Sequence, residues 1–205
     1  MNLGDNFVQE GLAYRITPFN TKAPGAKNFD TEKTYNNVMN RFKWGGLDKP
    51  GLYIDETVMR MCYTHRHLFA TLAMQLIAEG QNAKAEKVLR KSEKVLPEYN
   101  VPYTFMSGAS DLARAYALIG KKADAARIIN KVWADAKSYA DYYLQLTGSR
   151  FMMSQNDVLR QLYIMQNIAD MTQACDKNLA DQRLKTVNAL YSVYQAKGGT
   201  PYQGE

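Results

Sequence analysis

The sequence predicts an all-α chain, a stack of antiparallel helix pairs forming an α–α superhelix behind an irregular N-terminal segment. Three observations predict it. Apolar residues recur at helical spacing from Asp55 onward, a set of small and apolar positions repeats 40 residues later, and turn-forming Gly and Pro crowd the region before residue 55. The expected organisation is therefore an irregular segment over 1–54 with one short helix, packed on a helical-repeat domain over 55–205. That domain holds pairs at about 55–97, 107–146 and 154–197.

The first segment is punctuated by Gly11, Pro18, Pro24, Gly45, Gly46, Pro50 and Gly51, too often for long elements. Leu12 to Phe19 can be extended, and Asp30 can cap a short helix running to Lys43. Asp55 then offers a side-chain acceptor to the free amides of a new first turn. Val58, Met61, Cys62, His65, Phe69, Leu72 and Leu76 follow on one face, which predicts a helix from Asp55 to Glu79.

The repeat comes next. Leu72, Ala73, Leu76, Gly80, Ala85, Val88, Leu89 and Ser92 align without a gap on Leu112, Ala113, Tyr116, Gly120, Ala125, Ile128, Ile129 and Val132, and four of the eight pairs are identical. An Ala at a crossing lets two helices approach, and a Gly between them supports positive φ. With Pro97 at the end of the first unit, these positions match the tetratricopeptide pattern. Its usual period is about 34, and the Tyr99 to Phe105 loop accommodates the extra residues. In the third pair, Ser154 and Asp157 make a capping-box-like start before Val158, Leu162, Met165, Ala169 and Thr172. Ala180, Leu184, Val187, Tyr191 and Tyr194 then lead to a stop at Gly198 and Gly199, as a cap on the stack.

Composition narrows the function classes. Among the 205 residues, 46% are apolar and 22% charged, which excludes a disordered chain. The longest mostly apolar stretch, Leu68 to Ala78, is far shorter than the roughly 20 residues of a spanning helix, so the fragment is expected to be soluble. Met1 to Arg15 lacks the apolar core of a signal peptide. The net charge is +6, but the cations Lys84, Lys87, Arg90, Lys91 and Lys94 alternate with Glu86, Glu93 and Glu98 as on a solvated helix face, and no nucleic-acid partner is expected.

The residues that carry chemistry are few, and no catalytic residue, cofactor or metal site is expected. His65 and His67 stand two apart on a helix and cannot share a metal ion. His65 falls on the core stripe. Cys62 and Cys175 form no metal-type spacing and read as buried thiols. Trp133, Tyr139 and Tyr143 read as a continuation of the Ile128, Ile129, Val132 core. Tyr142 or Tyr163, with Arg150 or Arg160, would line a sugar- or peptide-binding groove. On the inner face of such a stack the repeat places His67, Met74, Arg114 and Leu118, with Asn156 and Arg160 added from the third pair. Loss of peptide binding on Arg114→Ala or Arg160→Ala is the corresponding expectation. Trp44, after which two glycines bend the chain, would anchor the N-terminal segment. Asp55, Glu56, Arg60 and Arg66 would form an ion-pair cluster at that junction.

Several longer segments carry a resemblance. They are Glu10-Gly11-Leu12-Ala13-Tyr14-Arg15-Ile16, Phe42-Lys43-Trp44-Gly45-Gly46-Leu47-Asp48, Tyr53-Ile54-Asp55-Glu56-Thr57, Met59-Arg60-Met61-Cys62-Tyr63-Thr64-His65-Arg66, and Ser107-Gly108 with Ala113-Arg114-Ala115-Tyr116-Ala117-Leu118. They resemble the soluble C-terminal region of a multi-pass membrane protein family, common in Bacteroidetes, whose animal relative is a protein O-mannosyltransferase. The resemblance runs along most of the chain. It implies a tetratricopeptide-like, non-catalytic domain on the periplasmic side of the inner membrane. The parent's membrane part would transfer a sugar from a lipid-linked donor, and the catalytic carboxylate would lie there. The chain would then be an excised domain whose partner is that membrane part or an acceptor polypeptide. The alternative is an independent tetratricopeptide adaptor that binds a peptide or protein.

Overall fold

The structure is a computed structural model that describes residues 5–24 and 26–200. The described residues are mostly helical, with eight α-helices and one two-stranded sheet. Backbone contacts group the chain into two compact units, Met1–Pro102 and Tyr103–Glu205.

The first unit opens with a hairpin of β1 (Phe7–Gln9) and β2 (Tyr14–Ile16), antiparallel with Val8 opposite Arg15. Extended pairing covers only the middle of Leu12 to Phe19. Helix α1 (Thr31–Asn36) starts where Asp30 accepts a hydrogen bond from the Lys33 amide. The sequence predicts that this helix continues to Lys43, but Asn37–Arg41 widens into a π-helical turn instead.

Helix α2 (Glu56–Ala78) begins at Asp55, whose carboxylate accepts from the Thr57 and Val58 amides at 2.8 and 3.1 Å. Helix α3 (Asn82–Val95) returns along it. Because α3 has 14 residues against 23 in α2, the first turns of α2 stay uncovered. Val58 and Met61 are consequently exposed, and the buried stripe starts at Cys62, continuing through Phe69, Leu72, Ala73 and Leu76. Trp44 stacks on Phe69 at 5.1 Å and meets His65 edge-on at 5.4 Å. His65 is half-buried, with Nδ1 2.6 Å from the Met61 carbonyl oxygen.

The expected junction cluster is corrected at Arg66. Arg60 does pair with Glu56 at 2.5 Å on the surface, and Asp55 serves as the helix cap. Arg66 is fully buried and donates to the carbonyls of Leu96, Val101 and Pro102 at 3.1, 2.5 and 3.1 Å. Six residues past Arg60, it lies about 240° further round the helix, so it points inward while Arg60 points to solvent. The cationic face of α3 is corrected as well. Lys91 donates to the Met39 carbonyl at 2.5 Å, with its ammonium pKa lowered mainly by burial and then by Lys94. Lys84 pairs with Glu32 at 2.6 Å and sits over the Tyr35 ring. Both lysines tie α1 and the turn after it to α3, which a solvated face would not do.

The second unit starts with a 3-10 turn at Phe105–Ser107, closed by reciprocal hydrogen bonds between Thr104 and Ser107, and enters α4 (Ala109–Leu118). Helix α5 (Lys122–Gln145) is followed by the short α6 (Gly148–Met153), then α7 (Gln155–Gln173) and α8 (Lys177–Ala196). Ser154 makes no side-chain cap. It is the single residue between α6 and α7 and keeps a near-helical backbone, φ −99° and ψ 6°, where a cap needs an extended one. Asp176 caps α8 by accepting from the Leu179 amide at 3.0 Å.

The repeat is visible at its hinges. Gly80 and Gly120 have φ of +75° and +78°. In both, the amide of the following residue bonds back five positions, Gln81 to Leu76 and Lys121 to Tyr116, at 2.7 and 2.9 Å. A Cβ at either glycine would meet nothing within 4 Å, so the requirement is conformational rather than steric. Ala73, Ala85, Ala113 and Ala125 are all fully buried. The aromatic continuation expected along α5 is corrected: the buried stripe runs Val132, Ala136, Ala140, Leu144, each one turn after the last. Trp133 and Tyr143 are half-buried and Tyr139 is exposed.

Candidate functional site

Helices α7 and α8 lie antiparallel, and along one side they enclose a groove of about 680 Å³. From α7 come Asn156, Leu159, Arg160, Leu162, Tyr163 and Gln166, and from α8 Val187, Asn188 and Tyr191. The α7 set falls at i, i+3, i+4, i+7 and i+10 from Asn156, with Leu162 inward, because that spacing returns to one helix face. Leu162 and Val187 are buried at the base, and Leu159 and Tyr191 are half-buried. Tyr163 stands at the rim, 65% exposed.

The back of the groove is fixed by Arg183, one turn before Val187. Its guanidinium donates to Thr172 Oγ1 of α7 and, at 2.5 Å, to Asn130 Oδ1 of α5, and lies 4.9 Å from the centre of the Trp133 ring. Thr172 in turn donates to the Ile168 carbonyl at 2.7 Å. One buried cation thereby joins three helices. Burial holds its pKa below the ordinary arginine value, and the nearby Asp176 opposes that shift.

Among the described residues the groove's one full charge is Arg160, whose Nη2 lies 3.6 Å from the Met106 sulfur, a weak acceptor. Asn156, Gln166 and Asn188 each present a donor and an acceptor. Among the described residues its lining contains no carboxylate, imidazole, thiol or aliphatic hydroxyl; beside the amides stand the Arg160 guanidinium and the phenols of Tyr163 and Tyr191. Beyond its end, Tyr143 is pushed above the ordinary phenol pKa chiefly by burial, with Asp157 adding and Arg160 opposing.

Of the candidate residues read from the sequence, Asn156, Arg160 and Tyr163 come together here. Tyr142 is exposed on α5 in a shallow depression with Trp133, Lys137 and Asp141, apart from the groove lining. Arg150 is exposed on α6, and Arg114 and Leu118 are exposed on α4. In the first unit His67 is exposed and Met74 half-buried on α2. Sequence reasoning missed Leu159, Gln166 and Asn188, and it placed Leu162, Val187 and Tyr191 on helical stripes without bringing them to a groove. The signal for Gln166 was its place one turn after Tyr163.

Among the described residues no three His, Cys, Asp or Glu side chains converge on a metal position. Cys62 is buried, and burial pushes its thiol pKa up, with Arg66 opposing. The expected result with an aromatic disulfide reagent is that half-buried Cys175 labels in the native chain, whereas Cys62 labels only after unfolding in urea. Rapid native labelling of Cys62 would contradict this placement.

No family model, curated protein or solved structure matches the chain. Among the described residues no helix is long and apolar enough to cross a membrane.

Proposed function

We propose that the chain is a non-catalytic, tetratricopeptide-like helical-repeat module that holds a polypeptide segment in the α7–α8 groove. The observation that carries this reading is the groove's composition: an apolar base ringed by three amides, two tyrosines and one arginine, with no carboxylate, imidazole or thiol in its described lining. The matching glycine hinges and buried alanines of the two repeat units support the tetratricopeptide-like part. The segments around Trp44, Arg60 and Arg114 extend the proposal to a parent protein. In it the chain is the periplasmic C-terminal region of a membrane-embedded glycosyltransferase of the protein O-mannosyltransferase kind, and the groove serves its acceptor or a partner protein. Sugar transfer belongs to the parent's membrane part.

Immunoblotting of fractionated source cells with an antibody to this chain tests the parent. A band far above 23.2 kDa in the membrane pellet is the expected result. A band near that mass in the supernatant would overturn the glycosyltransferase placement and leave a free-standing adaptor that uses the same groove.

A further inference from the structure

We infer that the segment held in the α7–α8 groove is an amphipathic α-helix of about three turns with one acidic side chain placed against Arg160. The inference rests on the binding reading above and says what kind of segment fits.

Length comes first. From Asn156 to Gln166 the α7 wall runs over eleven residues, ten rises of about 1.5 Å or about 15 Å, which is close to three turns of a docked helix. Its contacts recur at three- and four-residue steps, and Val187, Asn188 and Tyr191 form the opposite wall one turn deep. A trough between two helix ridges accepts the ridge of a third.

Backbone hydrogen bonding separates a helix from an extended strand. Both walls are helices whose backbone groups are already paired within themselves, so an extended segment would find no backbone ladder and only scattered side-chain partners, three amides, the Arg160 guanidinium and two tyrosine hydroxyls. Burying the remainder against Leu159, Leu162 and Val187 would leave backbone polar groups without a partner. A helix arrives with those groups satisfied and presents apolar side chains at i, i+3, i+4 and i+7.

Charge sets the remaining feature. Among the described residues Arg160 is the only charged one lining the groove, its hydrogen bond goes to a thioether, and no carboxylate pairs with it. A docked apolar helix would strip water from this guanidinium, so a complementary Asp or Glu is required on the incoming face. Asn156 lies one turn before Arg160, and Gln166 and Asn188 also border the groove, so all three can meet the polar flanks of such a helix.

The test is selection on the full chain from two displayed 15-residue peptide libraries, one proline-free and helix-favouring, the other held extended by a proline at every third position. The expected winners come from the helical library with an i, i+3/i+4, i+7 apolar stripe. At one position Asp or Glu exceeds Asn or Gln by about tenfold. Arg160→Gln removes the acidic preference and keeps the stripe, while Tyr163→Asp, at an exposed position that leaves the core intact, abolishes selection. Winners from the extended library alone, lost on Tyr163→Asp, would overturn the helix and leave the groove reading standing. Helical winners indifferent to acid would overturn the Arg160 pairing. Absence of any winner sensitive to Tyr163→Asp would overturn the groove reading and this inference together.

Discussion

Replacing Arg66 with Met is expected to lower stability by about 3–5 kcal/mol, the largest effect of any single substitution considered. The guanidinium is fully buried at the C-terminal end of α3, where it meets three carbonyls on a turn that α3 cannot satisfy itself. Leu96 is the C-cap of α3, and the amides of Asn100 and Val101 fold back on Pro97, which turns the Val101 and Pro102 carbonyls inward. Met fills much of the volume and offers no donor, so those oxygens lose bonds from a charged group. Arg66→Lys should recover little, because one ammonium cannot reproduce a planar fork that bonds carbonyls in different directions. Urea denaturation followed by tryptophan fluorescence measures this, since Trp44 stacks on Phe69 of the same helix. A loss under about 1 kcal/mol in Arg66→Met would show that water replaces the guanidinium at no great cost.

Arg183→Leu is expected to lower stability by about 2–4 kcal/mol and to loosen the groove as well. The substitution removes the donors that hold Thr172 and Asn130 and the cation above Trp133. Its effect is smaller than that at Arg66 because the partners are side chains able to turn toward other groups, and because Arg183 Nε already lacks a partner in the native chain. Near-ultraviolet circular dichroism should lose intensity with the Trp133 environment. Peptides selected on the wild-type groove should bind more weakly in parallel, since α8 carries Val187, Asn188 and Tyr191. Stability lost with undiminished peptide binding would separate Arg183 from the site.

Features legible in the sequence are those fixed by neighbours along the chain. Asp55 can be read as a cap because its acceptor serves amides two and three residues on, and Gly80 and Gly120 because positive φ is a local demand. Asn156, Arg160 and Tyr163 share one face of α7, so their grouping follows from helical period alone. Arg66 is different. Its partners lie 30 to 36 residues away, and nothing near it in sequence indicates that a cation will be buried there. Proximity to Arg60 and Glu56 suggested a surface cluster that the turn of the helix forbids. Lys91 shows the same limit, since its bond crosses 52 positions to the Met39 carbonyl. On α5 the size of Trp133, Tyr139 and Tyr143 drew attention from Ala136 and Ala140, where small side chains let a neighbouring helix close in. The α8 half of the groove was hidden because Val187 and Tyr191 look alike in sequence, although one is buried and the other is half open to the groove.

Everything proposed for the second unit depends on whether α7 and α8 hold a polypeptide between them. The most direct measurement places a photo-crosslinking amino acid at position 163 of the protein in its source cells, with position 53, where Tyr53 is 92% exposed on the first unit, as control. The expected result is an adduct at 163 that is absent at 53, and a digest in which a peptide from another polypeptide is joined to the α7 segment. Equal adducts at both positions, or none at 163, would contradict it.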